Sequence, residues 1–226
     1  MLGVIVNTAA VLVGSLLGLL LKKGLPKGIT KAVMTGIGLC TIYIGVSGSL
    51  KGENVLILIL SVVVGSVIGH LLKLDDHINN LGSKIEKKFS KGEEKSTVAE
   101  GFVTASLLFC CGAMTIVGSL QSGLTGDNTM IFTKSMLDLI SSIIFAATLG
   151  IGVLFSGGFV LVFQGAIVLL ARFVAPFLET NVINEMTCVG SVLIIGLALN
   201  ILGVTKIKIM NYLPAIFIPI VLCLFM

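Results

Sequence analysis

Tryptophan is missing from this chain, and tyrosine occurs only at Tyr43 and Tyr212. The aromatic belt that often marks a membrane–water interface is therefore thin. Charge is scarce too. Asp, Glu, Lys and Arg make up 12% of the residues, against about 25% in soluble domains. With 56% hydrophobic residues and a mean hydropathy of +1.13, a soluble core cannot hide the apolar surface, whereas a bilayer can. Catalytic signatures are lacking: no Ser–His–Asp set, no HExxH, no P-loop and no dinucleotide fingerprint. The chain is expected not to be an enzyme and to need no cofactor. The cysteines are Cys40, Cys110, Cys111, Cys188 and Cys223. They form no CxxC pair, have no histidine at ligand spacing and read as small buried hydrophobes. No metal site is expected; Asp75, Asp76 and His77 read as a solvated helix start, and His70 as an interfacial residue.

What is abundant is long apolar runs, at about 2–21, 29–50, 54–73, 99–120, 133–155, 158–177, 184–204 and 211–226. Each is near the ~20 residues that cross ~30 Å of hydrocarbon, apart from the last, which carries Pro214 and Pro219. Threaded as eight helices, the basic residues divide unevenly. Lys22, Lys23, Lys27, Lys31, Lys73, Lys84, Lys87, Lys88, Lys91, Lys95, Lys206 and Lys208 fall on one side; Lys51, Lys134 and Arg172 fall on the other. By the positive-inside rule the side with 12 is cytoplasmic. Loops 22–31, 74–98 and 205–210 are then inside, and the N-terminus is outside. The first run has no basic residue before it and Lys22-Lys23 after it, the reverse of a secretory signal. The net charge of +4 reflects this bias, and no nucleic-acid partner is expected.

In the cytoplasmic stretch 74–98, Leu74, Ile78, Leu81, Ile85 and Phe89 recur every three or four residues. That spacing predicts an amphipathic helix on the inner leaflet, followed by a linker.

Some segments echo one another. VGSLLGLLLK (13–22) resembles VGSVIGHLLK (64–73), and GLCTIYIGVSGSLKGEN (38–54) aligns without a gap with GAMTIVGSLQSGLTGDN (112–128). These predict a duplicated helical hairpin. A weaker match, Met34-Thr35-x-x-Gly38 with Met186-Thr187-x-x-Gly190, would suit an inverted repeat. Gly14 with Gly18, and Gly65 with Gly69, form small-xxx-small faces for close helix packing, within one bundle or in a homo-oligomer.

A charge in hydrocarbon costs ~2.5–3.5 kcal/mol, so intramembrane polar residues are site candidates. Asp138 and Lys134 form an i,i+4 pair inside the fifth run. Asn7, Thr115, Gln121, Gln164 and Asn200 add amides and a hydroxyl that can hydrogen-bond a solute, coordinate a cation or join helices. Glu100 and the Asn184–Glu185 pair open spans four and seven, where a carboxylate favours a helix N-terminus.

The run GFVTASLLFCCGAMTIVGSLQSGLTGDNTMIFTKSMLDLISSIIFAATLGIGV (101–153), with GVIVNTAAVLVGSLLG and INEMTCVGSVLIIGLALNILG, resembles the YdfK/YqgA-like bacterial inner-membrane family, domain of unknown function 554. The resemblance covers essentially the whole chain, with Cys111 and Ala113 standing where Gly or Pro is commoner. It implies a multi-pass plasma-membrane protein of transporter type. It supplies no substrate and no catalytic residues.

The expectation is an all-α polytopic membrane helix bundle of seven or eight transmembrane helices with internal repeats. It would form a single membrane domain over 1–226, contacting the lipid bilayer. Its expected role is passage of a small ion or solute along Asn7, Thr115, Gln121, Lys134, Asp138, Gln164 and Asn200. The alternative is a non-transporting scaffold or partner-binding subunit.

Overall fold

A computed structural model describes residues 1–22, 27–77, 80, 97–110 and 113–225. All regular structure among them is helical. The α-helices are α1 (Leu2–Lys22), α2 (Lys27–Ser49), α3 (Val55–Leu71), α4 (Thr97–Cys110), α5 (Ala113–Leu124), α6 (Thr129–Leu149), α7 (Gly152–Leu169), α8 (Ala171–Val174), α9 (Thr180–Ile201) and α10 (Ile218–Leu222). Stretches of 3-10 helix cover Ala175–Phe177 and Ile209–Phe217. The amphipathic helix expected over 74–98 lies outside the described residues, apart from Leu74–His77, Asn80 and residues 97–98.

Among the described residues, five helices are long and apolar enough to cross a membrane: α1, α2, α6, α7 and α9. A sixth span results if α4 and α5, which meet at 59°, are taken together. The expected seven or eight spans also included 54–73 and 211–226. The helix Val55–Leu71 has 17 residues, about 26 Å at 1.5 Å per residue, and Ile209–Leu222 is shorter still.

Three boundaries depart from the hydropathy pattern. The run 133–155 does not form one helix: α6 ends at Leu149, and Gly150 takes φ +80°, a conformation that costs a residue with a Cβ. The turn therefore falls at 150–151 rather than at 156–157. The run 99–120 is divided between α4 and α5. In the run 211–226, Pro214 sits inside the 3-10 segment and Pro219 at the start of α10. Each proline lacks an N–H, and tighter 3-10 turns replace a regular α-helix there.

The chain folds as two compact units. The first contains α1 and α4 to α8. The second contains α2, α3, α9, α10 and the 3-10 segment Ile209–Phe217.

In the first unit the polar side chains of the long helices turn inward, among buried apolar residues such as Val4, Phe109, Ile131 and Val160, while the outer faces are apolar. α6 buries Lys134, Ser135, Asp138 and Ser142 while exposing Met136, Leu137, Ile140 and Ile144. α7 buries Ser156 and Gln164 and exposes Leu161, Val162 and Leu169. α1 buries Asn7 and Ser15 and exposes Ile5, Leu16 and Leu20. Water would disfavour such apolar outer faces; hydrocarbon favours them.

Both glycine pairs lie against a neighbour within their own unit. A methyl group on Gly14 would collide with the Ser142 hydroxyl and crowd the Leu139 carbonyl; on Gly18 it would strike the Ile143 carbonyl. α1 and α6 run parallel here, since Gly3 faces Ile131 and Gly14 faces Ser142. In the second unit, Gly65 abuts the Ala215 main chain and Gly69 the Asn211 main chain, so α3 runs antiparallel to the 3-10 segment. Close approach substitutes van der Waals contact for the hydrophobic drive that lipid removes.

Candidate functional site

The first unit brings four of the seven candidate residues together, and the spacing along its helices explains how. On α6, Ile131, Lys134, Ser135, Asp138 and Ser142 recur at three and four residues and share one buried face. On α1, Asn7 lies one heptad before Gly14, about 10 Å along the axis. The Gly14 contact with α6 thus carries Asn7 to the level of Lys134 and Asp138. α7 presents Gln164 to the same place.

Lys134 Nζ donates to Asp138 Oδ2 in a pair buried on both sides. The ammonium also lies 5.7 Å from the centre of the Phe109 ring of α4, within cation–π range. Asn7 Nδ2 donates to Gln164 Oε1 at 3.1 Å, and the Asn7 amide is also a polar neighbour of the Asp138 carboxylate. Asn7 and Gln164 are fully buried. Their other amide atoms, Asn7 Oδ1 and Gln164 Nε2, have no hydrogen-bond partner. One free acceptor and one free donor thus sit beside a buried ion pair. Each unmet group costs ~1–3 kcal/mol unless something outside the chain meets it. The arrangement can hydrogen-bond a small polar guest or complete a cation's shell.

The other three candidates are placed differently. Thr115 is buried, but its hydroxyl donates to the Phe109 carbonyl at 2.8 Å. The bond ties the start of α5 to the end of α4. Gln121 is half-buried near the end of α5, where its carbonyl accepts from Thr125 N and Oγ1. Asn200 belongs to the second unit. Its Nδ2 donates to the Ile207 carbonyl at 2.8 Å, and its Oδ1 accepts from Thr205 Oγ1 and Ile207 N. Asn200 closes the turn after α9.

Polar residues outside that set organise helix ends. Glu100 lies in the first turn of α4, as expected of a carboxylate near a helix start. Glu185 does not open its own helix. α9 begins at Thr180, and Glu185 Oε1 instead accepts from Glu53 N and Asn54 N, at 2.7 and 2.8 Å, just before α3. Asn54 Oδ1 in turn caps α3 by accepting from Leu56 N. In the first unit the matching Gly-Asp-Asn loop divides the work differently. Asp127 accepts from Thr129 N and Oγ1, and these bonds hold its carboxyl below the usual carboxylate range. Asn128 Oδ1 accepts from Gly3 N and Ser122 Oγ. Asn211, which the sequence reading passed over, accepts from Asp75 N at 3.0 Å. Beside it, Lys208 donates to Asp76 at 3.1 Å, an exposed contact that raises the lysine above its ordinary range. The paired G-[E/D]-N motifs were the signal for these loop roles.

Apolar helices with a buried polar interior define the class: an integral membrane protein built of helices. The chain belongs to the family described as "Protein of unknown function (DUF554)", which matches residues 2–224. It is 35% identical over 223 residues to a Bacillus subtilis (strain 168) protein named "Uncharacterized membrane protein YdfK", covering 97% of this chain and 94% of the relative. It is 29% identical over 218 residues to "Uncharacterized protein YqgA" of Escherichia coli (strain K12), covering 95% and 93%. No solved structure matches the chain.

Proposed function

We propose that this chain is a small-solute or ion transporter, or a channel, of the plasma membrane, with its contact point for the guest in the first unit. The apolar exteriors of α1, α6 and α7, and a relative whose printed name is a membrane protein, support the membrane part. The observation that carries transport is the pair of unmet amide atoms, Asn7 Oδ1 and Gln164 Nε2, beside the Lys134–Asp138 pair. Side chains that served only to join helices would have met their hydrogen-bonding needs within the protein. Asp138, held by Lys134, is the coupling or gating group.

The remaining topology belongs to the same proposal. The short helices Val55–Leu71 and Ile209–Leu222 complete eight spans, and the basic loops face the cytoplasm. The Gly-Glu-Asn and Gly-Asp-Asn loops are the turns of a duplicated hairpin.

The test is thermal stabilisation of the purified chain in detergent against a panel of cations, anions and small metabolites. A guest at about 100 times its Kd stabilises by about 2.7 kcal/mol. A single hit that disappears in Asp138→Asn is the expected result. Full response in Asp138→Asn and in an Asn7→Leu/Gln164→Leu double variant would sink the assignment.

A further inference from the structure

We propose that the second unit holds a divalent-cation site built on Glu185, separate from the polar cluster of the first unit. Glu185 is 4% exposed. Its Oε1 is used by the Glu53 and Asn54 N–H groups, while Oε2 is buried with no hydrogen-bond partner. Among the described residues no lysine or arginine pairs with it. A buried oxygen in this state needs a partner from outside the chain. The two backbone N–H groups fix its direction.

Glu185 lines a cavity of about 280 Å³ whose other polar walls are Glu53, Asn54, Asn181 and Asn184. At about 30 Å³ per water, that space takes one ion with several waters. The donors are carboxylate and amide oxygens, the set that suits hard cations. One thiol, Cys223, also borders the cavity. Among the described residues no three His, Cys, Asp or Glu side chains converge as a metal-binding group, so a zinc-type centre has no ligand set here. Two carboxylates, one buried and one exposed, balance a charge of two. Amides and waters of adjustable position match the loose six-to-eight oxygen shell of Ca²⁺ better than the rigid octahedron of Mg²⁺.

Equilibrium binding of radioactive Ca²⁺ to the full chain, purified in a non-ionic detergent, tests this. One saturable site is expected, with a Kd between about 10⁻⁵ and 10⁻³ M. Mg²⁺ should compete weakly and Na⁺ not at all. Glu185→Gln keeps an oxygen for the two N–H groups and places an NH₂ where Oε2 stood; affinity should fall about 100-fold. Glu53→Gln alters an exposed side chain and should weaken binding about 10-fold while leaving the cation-free Tm unchanged. Absence of saturable binding up to about 10 mM Ca²⁺, ten times the weak end of that range, overturns the proposal. So does equal competition by Na⁺, or unchanged affinity in both variants. Should Glu185→Gln fail to fold, Glu53→Gln and Asn184→Leu decide, and undiminished Ca²⁺ binding in both overturns the site.

Discussion

Asn7, Lys134, Asp138 and Gln164 meet on the buried faces of three helices in the first unit, whereas Glu185, Asn200 and Asn211 in the second serve turns and helix starts. The second set is occupied with backbone: Glu185 with the start of α3, Asn200 with the turn after α9, Asn211 with the Asp75 N–H. The first set bonds side chain to side chain and leaves atoms over. Asn7, Thr8, Ser15, Thr104, Ser106, Ser119 and Gln164 of the first unit each bury a polar atom without a partner; in the second unit only Ser61 and Glu185 do so among the described residues. Both units use a Gly-xxx-Gly face for packing, so the contrast does not come from how the helices are held. It comes from what the interior offers once they are held.

The largest effects should come from the glycines, and they differ between units. A methyl group on Gly69 meets three main-chain atoms of Asn211, the carbonyl oxygen nearest, while on Gly14 it meets the Ser142 hydroxyl, which can rotate away, and, of the main chain, the Leu139 carbonyl oxygen at 2.5 Å. Gly69→Ala is therefore expected to cost about 3 kcal/mol or more and Gly14→Ala less. Thermal unfolding in detergent measures both. Equal losses would erase this distinction between the two faces.

Comparable in size is the ion pair. Lys134→Met or Asp138→Leu alone strands a buried charge and should cost about 3–5 kcal/mol. Lys134→Met/Asp138→Leu together should return to within about 1 kcal/mol of the parent, because two apolar side chains can replace a buried pair at little cost. A double-mutant cycle reads the coupling. Additive losses would mean that each group has a separate partner.

The i,i+4 spacing of Lys134 and Asp138 and the two Gly-xxx-Gly faces were legible because they are local in sequence. The Asn7–Gln164 bond was not, since it joins positions 157 apart and nothing in either helix marks the other. Glu185 was readable as a carboxylate near a helix start, but the helix it serves lies 131 positions away from its own place, at Asn54. Hydropathy runs unbroken through Gly150, so the turn there depends on a backbone angle that composition does not carry. The division between α4 and α5 falls in an equally apolar run, with Thr115 in attendance as a single hydroxyl.

A smaller effect sharpens the comparison of interiors. Asn211→Ala removes the acceptor for the Asp75 N–H and should cost about 1 kcal/mol. Asn7→Leu/Gln164→Leu removes a bonded pair with its two unmet atoms but also the Asn7 contact to Asp138, so its stability should change by no more than about 1 kcal/mol. The same double variant should lose all response to the stabilising guest. Stability falling by several kcal/mol in the double variant would instead make Asn7 and Gln164 helix joints, as Asn211 is.

The smallest effect belongs to the loop that opens α6. Asp127 is exposed, and its carboxyl is held below the ordinary range by Thr129 N–H and Oγ–H. A carboxyl with a depressed folded value contributes stability above its unfolded pKa of about 3.9 and loses it as pH falls through the folded value. Between about pH 5 and 8 the contribution should therefore be constant, and it should fade only below about pH 4. Asp127→Asn keeps an acceptor for Thr129 but no charge at the helix start, so its Tm should lie slightly below the parent at neutral pH and converge with it in acid. Parallel Tm curves from pH 7 to pH 3 would remove the charge from the account and leave the hydrogen bonds alone to open α6. The Asn54 cap of α3 already works in that uncharged way in the second unit.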